Sequence, residues 1–176
     1  LIRVRDHTGR MIGLEYRNGL LDEITDPTGK RIHYGYTKAG KLGSIVRADG
    51  VVVLENNYDA QNRILQQRFS DGGEIHYEYL DEKNQVVVTE QNGNRVICQR
   101  DSQYRNVKNI YEDGEESFTY NEQNQKTSFT DKRGSKNIFR YDEKGNMVSF
   151  ENAEGVALNL SYTADDKICE LGINGA

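Results

Sequence analysis

The sequence predicts an all-β fold: tandem β-hairpin repeats of about 21 residues, laid side by side in a continuous, twisted antiparallel sheet, an open solenoid-like ribbon. Three observations carry that reading. Glycine recurs at Gly9, Gly29, Gly50, Gly72, Gly93, Gly114, Gly134, Gly155 and Gly175, in steps of 20 to 22 residues. Tyrosine keeps the same beat at Tyr16, Tyr36, Tyr58, Tyr79, Tyr120, Tyr141 and Tyr162, with Arg100 standing where one double step omits it. Finally, the residues just before each tyrosine alternate between apolar and polar, the period of two expected of a strand with one buried face.

The first strand of each unit is read from two columns. Two residues before the reference position stand Leu14, Tyr34, Asn56, Tyr77, Cys98, Phe118, Phe139 and Leu160. Four residues before it stand Ile12, Ile32, Leu54, Ile75, Val96, Glu116, Asn137 and Leu158. Turn formers follow the tyrosine, as in Tyr36-Thr-Lys-Ala-Gly40, Tyr58-Asp-Ala-Gln-Asn62 and Tyr141-Asp-Glu-Lys-Gly145. Gly and Asn accept positive φ there, and Asp or Asn can bond its own backbone, so the chain reverses. A second strand comes next, marked by apolar pairs three apart: Leu42 with Ile45, Met147 with Phe150, Ile168 with Leu171. Strict alternation would put such pairs on opposite faces, so either a β-bulge resets the phase or both faces are partly covered. The recurring glycines, Gly29, Gly50, Gly72, Gly93, Gly114, Gly134 and Gly155, then close the unit. The first unit is shorter, with a tight turn at Asn18-Gly19, and unit five is the weakest match. Residues 1–176 thus read as a single repeat region of about eight units and sixteen strands, a ribbon on the order of 75 Å wide.

Composition removes several function classes. Hydrophobic residues make up 35% and charged residues 29% of the 176, with 17 Gly, 11 Tyr, one Pro and no Trp. No apolar run approaches the ~20 residues of a membrane span. A net charge of -5 argues against nucleic acid, whose partners present basic stripes. Aromatic and β-branched residues recur throughout, unlike in disordered chains. The chain starts at Leu1 without an initiator Met or a signal-like leader, which points to a piece of a much larger protein. Cys98 and Cys169 are too few for a disulfide scaffold and lack zinc-site spacing; six strands apart, they should be free thiols.

A unit reading Gly-x-x-x-x-Tyr-x-Tyr-Asp-x-x-Gly-x-Leu, followed by an apolar residue and Asp-x-x-Gly, resembles the Rhs repeat, or YD repeat. The stretches nearest to it are Gly29-Lys-Arg-Ile-His-Tyr-Gly-Tyr36 through Gly40-Lys-Leu42, Gly73-Glu-Ile-His-Tyr-Glu-Tyr79, and Phe139-Arg-Tyr-Asp142 through Gly145-Asn-Met147. The resemblance covers essentially the whole chain. It implies a large secreted or cell-surface bacterial protein, of the kind of the Rhs polymorphic toxins, wall-associated proteins and insecticidal toxin complexes, whose repeats form a spiralling β-hairpin shell. In the toxins that shell encloses a C-terminal effector, and a core segment after the repeats cuts the effector free. Neither effector nor core is found among these residues. Asp26-Pro-Thr-Gly29 resembles the Asp-Pro-x-Gly of that core, but Lys30 stands where the family has Leu and another repeat follows at once, so a Pro-containing turn is expected.

The chemical candidates reduce to repeat features. His33 and His76 share a sheet face but lie two units apart, roughly 19 Å, too far for one zinc ion or an acid–base pair; His7 has no evident partner. Cys98 sits in the apolar column, as a small hydrophobe would. Asp59, Asp101 and Asp142 follow the reference position, and Asp49, Asp71 and Asp113 lie near the closing glycines; recurrence at turns is backbone capping, and no singular carboxylate pair stands out. No catalytic residue, metal or cofactor is expected. The tyrosines read as a packed ladder of cross-strand aromatics. The expected function is therefore a non-enzymatic structural module whose partners are flanking repeats and an enclosed effector, with no nucleic acid and no membrane span. The alternative is a surface adhesive module binding carbohydrate or a protein through a tyrosine-bearing face. Bare edge strands predict edge-to-edge self-association.

Overall fold

A computed structural model describes residues 2–174; Leu1 and Gly175, where the glycine series ends, lie outside the described residues. All regular structure among them is β, apart from one 3-10 turn at Asp81–Lys83. In chain order the strands are β1 (Ile2–Arg5), β2 (Met11–Arg17), β3 (Leu20–Thr25), β4 (Arg31–Tyr36), β5 (Leu42–Arg47), β6 (Val52–Tyr58), β7 (Ile64–Phe69), β8 (Glu74–Leu80) and β9 (Gln85–Thr89). They continue as β10 (Arg95–Arg100), β11 (Asn106–Tyr111), β12 (Gly114–Tyr120), β13 (Lys126–Thr130), β14 (Lys136–Tyr141), β15 (Met147–Glu151), β16 (Ala157–Tyr162) and β17 (Ile168–Asn174). Sixteen of them are the expected strand pairs of eight repeats. The additional strand, β1, precedes the first pair and stands to β2 as each second strand stands to the repeat that follows.

The described residues fall into two compact units. One comprises the residues up to Glu78 together with Val88–Asn94, the other Tyr79–Val87 and the residues from Arg95 onward. Each is an antiparallel meander in which a strand pairs with its neighbour in sequence: β1 through β8 in the first and β10 through β17 in the second. Strands of four to seven residues suffice because the turns are nearly identical. In the loop Asp26–Lys30, the Asp26 N–H donates to the Lys30 carbonyl and the Gly29 N–H to the Asp26 carbonyl. The fourth loop residue must then take positive φ, as Gly29 does at 87° and Asn62 at 60°, values a residue without Cβ or with a short amide reaches cheaply. Asn18 (φ 52°) and Gly19 (φ 80°) form the tight two-residue turn read from the sequence.

The second strands carry a β-bulge, which settles the phase problem. In β4–β5, Gly35 faces Ser44 but Tyr36 faces Leu42, leaving Gly43 as the extra residue. The same shift falls beside Tyr16, Tyr58, Arg100, Tyr120, Tyr141 and Tyr162. One added residue returns Leu42 and Ile45 to the same face, so apolar markers three apart share a side. Cross-strand partners share a face, which makes continuous rows: Leu14, Ile24 and Ile32; Tyr34, Ile45 and Leu54; Phe139, Phe150 and Leu158. The opposite face is polar, with Glu15, Glu23 and His33 in one row. Val87, Val96 and Leu160 are the buried apolar side chains; most others are half-buried, as expected of neighbour-on-neighbour stacking.

Candidate functional site

A bulge takes a backbone carbonyl out of the strand ladder, and a half-buried carbonyl needs a donor. Here the donor is the tyrosine of the following repeat. The hydroxyls of Tyr36, Tyr58, Tyr120, Tyr141 and Tyr162 donate to the carbonyls of Leu21 (2.8 Å), Leu42 (2.6 Å), Asn106 (2.9 Å), Lys126 (2.8 Å) and Met147 (2.9 Å). Each acceptor is the residue that faces the previous repeat's reference position across the bulge. The tyrosine therefore closes the irregularity of the repeat before it while its ring lies half-buried between them. Tyr79 holds the corresponding place in β8, half-buried. Tyr16, in β2, is 49% exposed. The sequence identified these residues and their beat, but not the acceptor, which only the pairing register reveals.

The predicted turn glycines sit at two kinds of place. Gly29, Gly50, Gly72, Gly93, Gly134 and Gly155 occupy left-handed loop positions, with φ between 80° and 87°. Gly114 instead opens β12 opposite Tyr111, with φ at 153° and the Lys132 side chain against it.

Five of the six recurring carboxylates, Asp49, Asp59, Asp71, Asp101 and Asp142, cap their own loops, whereas Asp113 does not follow the expected capping and accepts instead from Lys132 Nζ (2.6 Å). Asp26 Oδ1 accepts the N–H groups of Thr28 (2.8 Å) and Lys30 (2.9 Å) and the Thr28 hydroxyl (2.7 Å), so Asp26-Pro-Thr-Gly29 is an ordinary capped turn. The Thr28 hydroxyl, helped by those N–H groups, holds the Asp26 carboxyl below the usual range; Thr8 and Arg10 do the same for Asp6. Asp142 repeats the geometry toward Lys144 and Asn146, and Asn121 and Asn152 achieve it with an amide oxygen. In the second unit the loops are also stitched to one another. Arg105 donates to the Asn121 carbonyl (3.1 Å), Gln125 to the Gly145 carbonyl (2.9 Å), and Lys144 to the Ala164 carbonyl (3.1 Å).

His33 and His76 each have a carboxylate partner that the sequence reading missed. His33 Nδ1 lies 3.3 Å from Glu23, whose side chain is 7% exposed and also approached by Arg31 at 3.5 Å. His76 Nε2 lies 3.1 Å from Glu74. Arg68 and Gln66 also donate to Glu74 and hold its carboxyl below the usual range. The signal for Glu23 was its place on the polar face directly opposite His33. The Thr25 hydroxyl also donates to Glu23 (3.1 Å), so both carboxylates are held by several side chains at once. Burial pushes the Cys98 thiol up, which disfavours the reactive thiolate; Cys98 and Cys169 are both free. Among the described residues no group of three or more His, Cys, Asp or Glu is arranged to hold a metal ion, and no helix is long and apolar enough to cross a membrane.

Two polar insertions interrupt the apolar face. In the first unit, Tyr77 donates to Gln67 (2.7 Å), Gln67 to Asn56 (3.1 Å), and buried Asn56 to the Leu42 carbonyl (2.9 Å). In the second, the Tyr111 hydroxyl donates to Glu116 (2.9 Å); burial and that carboxylate push the phenol up. Tyr104 is more exposed than Tyr16, at 73%, and lies in the left-handed region at φ 61°, with the Arg100 guanidinium 5.5 Å from its ring centre.

No protein-family profile matches the chain, and no curated protein matches it significantly. Its fold is shared with solved toxin-complex structures. The structure of TcdB2-TccC3-Cdc42 matches over 88% of this chain with a TM-score of 0.60 and 15% identity. TcdB2-TccC3 without its hypervariable C-terminal region matches over 90%, again with a TM-score of 0.60, at 14% identity. The chain spans about a tenth of those proteins, 10% in both cases. At such identity the likeness is one of fold: tandem antiparallel hairpins of the kind found in a toxin-complex β-sheet.

Proposed function

We propose that the chain is a non-enzymatic structural repeat module, a wall segment of a β-hairpin shell of the Rhs or YD-repeat kind, within a larger secreted or surface-delivered protein that encloses an effector. One observation carries this reading: five repeat tyrosines spend their hydroxyls on backbone carbonyls of the preceding repeat. A hydroxyl so engaged, on a half-buried ring, is not offered to a sugar. The likeness to toxin-complex sheets supports the same reading, and the carboxylates serve turns rather than a reaction centre.

The adhesive alternative draws on Tyr104, an exposed aromatic held in a costly backbone conformation. Thermal unfolding and glycan-array binding, measured on the same proteins, separate the two. The structural module predicts that Tyr141→Ala lowers Tm by several degrees while the unsubstituted chain binds glycans at background. Glycan binding that disappears on Tyr104→Ala with Tm unchanged would overturn the structural reading.

A further inference from the structure

We infer that a cavity on the apolar face of the first unit, between the β3–β4 and β5–β6 loops, is a binding site for a small apolar carboxylate. The inference is independent of whether the sheet encloses anything. Ile24 and Ile32 face each other across β3 and β4, and Arg47 of β5 faces Ile32. One repeat later the corresponding positions hold Ile45, Leu54 and Phe69. There the aromatic ring extends the apolar row, and Leu54 and Phe69 are both half-buried. Arg47 does not close its row in the same way, because its guanidinium is drawn toward its own loop: Nη2 lies 2.7 Å from Asp49 Oδ2 and Nε 3.3 Å from Asp49 Oδ1. Ile32 is left 37% exposed, and Ile24, Ile32 and Ala48 line an open cavity of about 510 Å³. Strands of the same unit flank it, β2 beyond β3 and β6 beyond β5, so the cavity belongs to the interior of the sheet.

The rim sets the chemistry of the occupant. On it three cations, Lys30, Arg31 and Arg47, stand against two carboxylates, Asp26 and Asp49. Both carboxylates are committed to their own loops. Asp26 Oδ1 accepts from Thr28 and the Lys30 N–H, and Asp49 accepts from Arg47 and from the Val51 N–H at 3.2 Å. Arg31 is directed to Glu23, at 3.5 Å. The unspent donors are the exposed Lys30 ammonium and Arg47 Nη1, neither of which has a hydrogen-bond or ion-pair partner among the described residues. Ligand sites join an apolar surface that takes the body of the ligand to a few placed polar groups that fix its head. A carboxylate is a planar acceptor that an ammonium and a guanidinium can meet together, whereas a cationic head would be repelled by both. The ligand class is therefore an alkanoic or aryl-alkanoic acid, its apolar body on Ile24 and Ile32 and its carboxylate toward Lys30 and Arg47.

The test titrates the whole chain with octanoate and, in a parallel arm, with octan-1-ol, which has the same chain without the charge. Binding and its location are read together from the methyl NMR shifts of Ile, Leu and Val. Saturable shifts confined to Ile24, Ile32 and their neighbours are expected with octanoate. Lys30→Gln should weaken binding about fivefold, the upper end for an exposed ion pair. Arg47→Phe, which installs the ring that Phe69 supplies one repeat later, should abolish it. That variant keeps its hairpin, because Arg47 is exposed and the loop is closed by backbone bonds, from the Arg47 N–H to the Val51 carbonyl and from the Gly50 N–H to the Arg47 carbonyl. Equal saturation by octan-1-ol and octanoate, shifts spread along the apolar rows of both units, unchanged binding in either variant, or no shift at millimolar octanoate would each overturn the inference.

Discussion

Repeat five and the repeats that follow it solve the same packing problem with different residues. At β12–β13 and β14–β15 a tyrosine sits at the bulge and phenylalanines face each other across the strands, Phe118 with Phe129 and Phe139 with Phe150, ring centres 5.5 Å apart in both pairs. At β10–β11 the tyrosine is Arg100, and the facing pair is Cys98 with Asn109. Yet the bulge remains, between Gln99 facing Lys108 and Arg100 facing Asn106. The bulge therefore does not need the tyrosine. Loop geometry and the apolar residues beyond it set the extra residue, and the tyrosine is a cap recruited to a carbonyl already out of the ladder. Arg100 fills the space incompletely: its Nε is buried without a hydrogen-bond partner, and its guanidinium is 3.7 Å from Asp81.

The largest expected effect comes from deleting the cap and its ring together. Tyr141→Ala should cost about 3 kcal/mol, the low end for a large aromatic taken from a packed site, while Tyr16→Ala, at a half-exposed ring, should cost a third of that or less. Thermal or chemical unfolding of the two variants checks this. Equal losses would mean that the capped junction contributes nothing beyond ring area.

Restoring the missing tyrosine comes next. Arg100→Tyr removes a buried unpartnered nitrogen, which costs roughly 1 to 3 kcal/mol where it stands, and should raise stability by about 1 kcal/mol after loss of the Asp81 contact. A destabilised variant would show that repeat five has been repacked around arginine.

The hydroxyl alone is a smaller quantity, and two repeats predict different values for it. At Tyr141→Phe the Lys126 carbonyl loses its side-chain donor, which should cost about 1 kcal/mol. At Tyr58→Phe the Leu42 carbonyl keeps the Asn56 amide at 2.9 Å, so the cost should be a few tenths of that. The contrast was unreadable in the sequence, where Asn56 is merely a polar residue in an apolar column.

The repeat itself, the hairpins and the capping aspartates were legible because each depends on local spacing: a glycine that must take positive φ, an Asp two residues before the N–H it accepts, an apolar residue every second place. The bulge was half legible, since Leu42 with Ile45 and Met147 with Phe150 announce a phase break without saying where the extra residue goes. The targets of the tyrosine hydroxyls, the His33–Glu23 pair and the stitching of loops 20 residues apart are set by which strand lies beside which and in what register. No window of one repeat contains that information.

The smallest effect separates loops that look alike in backbone but differ in cap. The Asp26 loop and the Asn152 loop make the same pair of N–H bonds, to Thr28 and Lys30 in one and to Glu154 and Val156 in the other. Only the first acceptor titrates. Hydrogen bonds from Thr28 and the loop N–H groups depress the folded Asp26 pKa below its unfolded value of about 4. Its contribution is therefore present in full above that unfolded value and is lost as pH falls through the folded one. The amide of Asn152 has no such dependence. Amide exchange protection at Thr28 and Lys30 should consequently fall below about pH 4, after correction for intrinsic exchange, while protection at Glu154 and Val156 stays level until the sheet itself unfolds. Loss at both loops at the same pH would show that acid acts on the sheet as a whole and that the aspartate caps are interchangeable with asparagine.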